Sequence, residues 1–107
     1  MIYVKINDAL YPAAIRGRVQ DKDWDNRESL AVTLEMTYDE AMALFTDDLV
    51  WGHVHEDDET GETTAYDDSD YSVAGAVTDH RDGRVTVKMG QITAEEALAE
   101  LMEVLNT

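Results

Sequence analysis

Two histidines two residues apart, His53 and His55, are the pair in this chain whose type and spacing most directly suggest chemistry. They lie in the stretch 49–55, which reads as a strand with Trp51, His53 and His55 on one face and Val50 and Val54 on the other. Neutral imidazoles so placed can bind a divalent transition metal, with Glu56 or Asp57 as a third ligand. A surface strand beside an acidic loop presents the same pattern, so no metal ligand is assigned and no cofactor is expected. His80 falls in a turn and carries no assignment.

The second concentration of chemistry is the stretch 56–70, in which eight of fifteen residues are acidic. Calcium takes six to eight oxygens, and Asp67-Asp68-Ser69-Asp70 supplies oxygens, but without the spaced ligands, central glycine and distal glutamate of an EF-hand loop. Charge of this density has little to bury and repels itself. The stretch is therefore expected to be a mobile, solvated loop that folding does not need. If it acts, it acts as a partner-binding surface made of Glu56, Asp57, Asp58, Glu59, Tyr66, Asp67, Asp68 and Asp70.

Nucleophilic chemistry finds no foothold. No Ser-His-Asp arrangement can be assembled, and there is no nucleophile elbow and no phosphate-cradling glycine loop. The chain has no cysteine, which removes thiol nucleophiles, thiolate metal sites and disulfides, and suits a reducing compartment. Carboxylates are so abundant that no pair stands out as a general acid and base. The expectation is a protein that is not an enzyme.

Twenty-four acidic residues against eight basic ones give a formal net charge of −16. Phosphate backbones and anionic membranes would be repelled, while a basic protein would be steered in. The same charge also serves simple solubility. No apolar run approaches the ~20 residues of a membrane helix, and the N-terminus lacks the basic-then-apolar pattern of a secretory signal. A cytoplasmic location is expected. So is a protein partner, either a basic one or a second copy of the chain.

The elements that must position these residues follow from periodicity. The 107 residues are enough for one domain. Residues 2–6 alternate, Asn7-Asp8 marks a turn, and 9–11 return as the second arm of a hairpin, with Pro12 expected at an edge or bend. Residues 14–19 read as a strand with Ile15 and Val19 on one face and Arg16 and Arg18 on the other. A polar loop follows, with Trp24 as its apolar anchor. Leu30, Val32, Leu34 and Met36 form the clearest half-buried strand. Thr37 to Glu40 is a capping box opening a short helix that buries Ala41, Leu44 and Phe45 and ends near Asp47-Asp48. Residues 71–78 and 84–89 form a hairpin around Asp82-Gly83, with Gly75 marking a bulge or a close approach. Thr93 to Glu96 is a second capping box, and Ala94, Ala97, Leu98, Leu101, Met102 and Leu105 recur as the apolar stripe of a C-terminal helix expected to cover the sheet. The fold class is α+β: a mainly antiparallel sheet or partly closed barrel of about five to six strands, with a short central helix and the C-terminal amphipathic helix.

The opening Met1-Ile2-Tyr3-Val4-Lys5-Ile6-Asn7-Asp8-Ala9-Leu10-Tyr11-Pro12 resembles the N-terminal hairpins of bacteriophage tail and baseplate proteins. With Trp24-Asp25-Asn26-Arg27-Glu28-Ser29, Leu34-Glu35-Met36-Thr37-Tyr38 and Tyr71-Ser72-Val73-Ala74-Gly75, the chain is similar to small proteins of prophage regions in Gram-positive bacteria. The resemblance implies a structural or assembly role through protein contacts, without catalysis, with a phage structural protein as partner and a virion-associated location, and supplies no functional residues. The alternative drawn from the charge is an acidic binding module or nucleic-acid mimic that blocks a basic partner surface.

Overall fold

The computed structural model describes residues 1–105, a seven-stranded antiparallel sheet with two helices, the strands ordered β5-β4-β1-β2-β3-β7-β6. β1 (Ile2–Ile6) and β2 (Ala9–Asp21) form the expected hairpin, turning on Asn7 and Asp8 at φ of 51° and 66°. Both central residues with positive φ match the right-handed twist of a tight hairpin. β2 runs 13 residues and joins what the sequence divides into two strands. Up to Pro12 it pairs with β1, and from Ala13 it pairs with β3 (Arg27–Leu34). Pro12 thus lies where the strand has a neighbour on one side only, which is where a residue without an N–H is tolerated.

Alternation selects the inner face of the sheet. Val4 and Ile6 of β1, Leu30, Val32 and Leu34 of β3, and Val85, Val87 and Met89 of β7 (Val85–Gly90) are all buried there. Full burial of each such side chain contributes ~1.5–3 kcal/mol. α1 (Tyr38–Leu44) packs against β7 and β6 (Val73–Asp79) and buries Ala41 and its C-terminal neighbour Phe45. Phe45 meets Trp51 edge to face, with ring centroids 6.0 Å apart. The capping box closes as expected, the Thr37 hydroxyl accepting from the Glu40 amide at 3.1 Å.

The outer face is covered at one point by Trp24, which ends a single 3-10 turn (Lys22–Trp24). Its ring lies so close to β6 and β7 that a Cβ on Gly75 or on Gly90 would stand 2.7 Å from it. The Arg27 guanidinium sits over the indole, 5.1 Å from the centroid. Gly75 also lies in the bulge between Ala74 and Val77, so the anticipated bulge and the close approach occur together.

Four expectations are corrected. The sheet has seven strands rather than five or six, and it is open rather than barrel-like, with β5 and β6 as its edges. The stretch 56–70 is not one solvated loop: β5 (Thr63–Asp67) pairs with β4 (Gly52–Glu56) throughout. On either side of β5, the Asp57 amide donates to the Glu62 carbonyl (2.9 Å) and the Asp68 amide to the Trp51 carbonyl (3.0 Å). Backbone pairing needs no apolar side chains, so acidic composition did not prevent a strand.

The fourth correction is α2 (Ala94–Leu105), which forms but does not cover the sheet. Leu98, Leu101 and Met102 remain 59 %, 55 % and 53 % exposed. The inner face is already occupied by α1 and by the crossing 68–72, which carries the chain from one edge of the sheet to the other. The side chains of Arg18, Val19 and Leu105, which the pattern assigns to strand faces and to the helix stripe, lie outside the described residues.

Candidate functional site

Half of the acidic segment converges on one place. The inner face opens into a cleft of about 710 Å3 in which Ile2, Ile15 and Leu30 supply apolar surface, His53, Tyr66 and Tyr71 supply rings, and Glu28, Asp67, Asp68 and Asp70 supply charge. No lysine or arginine is among its lining residues.

Strand register explains the convergence. His53 stands opposite Val4 of β1 and opposite Tyr66 of β5, so all three share the inner face. The rings of His53 and Tyr66 stack at a centroid distance of 4.7 Å and an interplanar angle of 16°. β5 approaches β4 so closely that a Cβ on Gly52 would collide with the Tyr66 carbonyl. On the opposite wall, Glu28 lies two residues before Leu30 on β3 and accepts a 2.6 Å hydrogen bond from the Tyr71 hydroxyl.

His53 donates from Nδ1 to the buried carboxylate of Asp68 at 2.5 Å. That bond fixes the ring and leaves Nε2 as the nitrogen for any further contact. Ser69, the nearest hydroxyl in sequence, is committed elsewhere: it donates to Asp67 at 2.6 Å and its oxygen accepts from the Trp51 amide at 3.3 Å. The hydroxyl and amide of Ser69 hold the Asp67 carboxyl below the ordinary carboxylate range, so it stays charged in mild acid.

The sequence-derived surface divides in two. Tyr66, Asp67, Asp68 and Asp70 line the cleft. Glu56, Asp57, Asp58 and Glu59 lie at the other end of the β4–β5 hairpin, where Asp57 shapes the turn by accepting from the amides of Glu59 (2.9 Å) and Thr60 (3.1 Å). Those amides lower the Asp57 pKa. Asp68 is buried rather than exposed, because it answers His53. His55, opposite Ile2, points the same way as His53 but is exposed, and among the described residues no group of three or more histidines and carboxylates is arranged to hold a metal. Glu28 and Tyr71 were missed as site residues. The signal for Glu28 was present, since it continues the Leu30, Val32, Leu34 alternation by one step.

Next to the cleft, Arg27 ties three elements together. It donates to the Gln91 carbonyl at 2.8 Å and to both oxygens of Glu96 at 2.6 and 3.2 Å. The Ile92 amide donates to the Asp70 carbonyl at 3.0 Å, so the root of α2 is joined to the crossing that lines the cleft. Among the described residues no helix is long and apolar enough to cross a membrane. Comparison with known proteins finds no matching family, no matching curated protein and no matching solved structure.

Proposed function

We propose that the protein works by protein–protein contact rather than by catalysis, and that its partner is basic. The observation that carries this reading is the lining of the cleft: four carboxylates and two tyrosines beside an apolar floor, with no lysine or arginine among them. A lysine or arginine side chain matches such a surface, its alkyl stem on Ile2, Ile15 and Leu30 and its head among the carboxylates and ring faces. Tyr66, half exposed at the cleft, is the kind of residue that anchors interfaces. The net charge of −16 would steer a basic partner toward it. Assembly of a phage particle, which the resemblance implies, is one setting for such a contact, and tail or capsid genes beside this gene would support it.

The test is a binding measurement against partners captured at low salt and identified by mass spectrometry. Glu28→Gln combined with Asp70→Asn is expected to weaken binding about tenfold or more and to flatten its salt dependence. A partner bound equally well by the double variant, with no response to salt, overturns the reading.

A further inference from the structure

β5 is an edge strand with free backbone groups. The bonds at the two ends of the β4–β5 hairpin, from the Asp57 amide to the Glu62 carbonyl (2.9 Å) and from the Asp68 amide to the Trp51 carbonyl (3.0 Å), fix its phase. Facing pairs in an antiparallel ladder are bonded alternately. Tyr66 and Thr64 therefore bond to His53 and His55, while Thr63, Ala65 and Asp67 turn their N–H and C=O groups away from β4. All five residues of β5 are exposed, and among the described residues no strand lies beyond it. Most sheet edges carry a guard against further pairing. The opposite edge, β6, has a bulge between Ala74 and Val77, α1 packed against it, and its Ala74 amide held by Asp47 at 2.8 Å. β5 has an unbroken register and contains no proline, lysine or arginine.

We propose that β5 is a strand-addition site, and that the segment it takes is an extended, basic stretch of the partner protein. A row of alternate N–H and C=O groups is matched by the backbone of another strand. The sign of the charge rests on the cleft reading, which this inference deepens, and on the surroundings of the edge. Glu62 precedes β5, Asp67 ends it, Asp68 and Asp70 follow, and the chain has no lysine or arginine from Glu28 to His80. Close by on the sheet, Lys5 is already paired with Asp8, and the N-terminal amine with Asp58. A second copy is disfavoured by register. Pairing about Ala65 would set Thr63 opposite Asp67 and Glu62 opposite Asp68 at both ends, with no cation to answer them. The added strand also meets the cleft. Its residue opposite Tyr66 shares the inner face with that ring, so a lysine there lays its stem on Tyr66 and turns its head toward the carboxylates of the cleft.

The probe is a capped seven-residue peptide of alternating lysine and valine, titrated into the full chain and followed through amide resonances and their exchange. One-to-one binding that protects the amides of Thr63, Ala65 and Asp67, and that weakens as salt rises, is expected. With the lysines toward the cleft, the valine N–H groups are the ones that bond to β5. N-methylation of the valines should therefore weaken binding about tenfold or more, and N-methylation of the lysines should not. Ala65→Pro removes an outward N–H and no bond to β4, and should weaken binding likewise. Methylated peptides that bind alike, or in the reverse order, overturn the inference, and this arm does not depend on the folding of a variant. A peptide of alternating glutamate and valine that binds as well also overturns it. Glu28→Gln with Asp70→Asn should weaken the lysine peptide and keep the order of the methylated ones. Binding lost in that double variant, but indifferent to methylation and to Ala65→Pro, overturns strand addition and leaves the cleft reading standing. The expected methylation order, with the cleft variant binding like the parent, upholds strand addition and overturns the cleft reading. A chain that sediments as a dimer, and as a monomer with Ala65→Pro, assigns the edge to a second copy and overturns the inference.

Discussion

The two helices open in the same way and end in opposite circumstances. α1 and α2 each start with a threonine whose hydroxyl accepts from the amide three residues on, at 3.1 and 3.2 Å. Each carries acidic residues in its first turn. Yet the shorter helix, seven residues long, buries Ala41 and brings Phe45 into the core, whereas the twelve-residue helix leaves Leu98 and Leu101 in water. Capping and amphipathic spacing decide that a helix forms. Whether it packs depends on whether a sheet face is still free when its turn comes, and here α1 and the crossing 68–72 have taken that face. An apolar stripe is therefore evidence of burial against something, not of burial within the same chain.

That contrast can be broken first at its strongest point. Phe45→Ala should cost ~3–5 kcal/mol in chemical denaturation, as large-to-small changes in a packed core do. Leu98→Ala and Leu101→Ala should each fall within ~0.5 kcal/mol of the parent. A loss of several kcal/mol at either leucine would mean that α2 packs on the sheet in solution.

A second comparison sets the outer face against the β6–β7 turn. Gly90→Ala pushes its new methyl into the Arg27 side chain and the Trp24 ring and should destabilise by ~1–3 kcal/mol, with Trp24 becoming more accessible to a fluorescence quencher. Gly83→Ala meets open space but must adopt a φ of 89°, so it loses stability through backbone strain, with no change at Trp24.

The caps sharpen the contrast at smaller scale. Thr37→Ala should lower global stability by ~1 kcal/mol. Thr93→Ala should leave the global midpoint unchanged and instead speed amide exchange within α2, because that helix unfolds on its own.

The smallest effect is a response to acid. Glu96 is pulled down to about 2, first by the Arg27 side chain and then by the Thr93 amide. Its contribution is complete above the unfolded glutamate range and is lost as pH falls through about 2. Amide signals of 94–97 should therefore hold their helical positions to lower pH than those of Arg27→Gln, in which the pair is absent.

Much of the sheet was legible because alternation and turn chemistry are local. Leu30, Val32 and Leu34 announced their strand, and Asn7-Asp8 and Asp82-Gly83 announced their hairpins. β5 was not legible. Thr63, Thr64, Ala65 and Tyr66 form an exposed edge strand whose partner is the backbone of β4, so burial left no pattern in its side chains. The candidate site was legible in halves. Tyr66 and the aspartates stood out by composition, but their meeting with Glu28 and Tyr71 depends on a register that joins residues 43 positions apart. The pairing of His53 with Asp68 was hidden for the same reason, since a spacing of fifteen residues reads as nothing until a hairpin folds it together.

The crossing 68–72 also bears on how quickly the native state is reached. β5 and β6 are adjacent in the chain yet occupy opposite edges of the sheet, so this link can settle only after both ladders sharing β2 exist. Pairings so distant in sequence place refolding on the order of milliseconds to seconds rather than microseconds. Bonds that close last belong to the unfolding barrier more than to the folding one. The contacts of Trp51 with Ser69 and Tyr71 then act as a latch, governing how long the protein stays folded and leaving almost untouched how fast it folds.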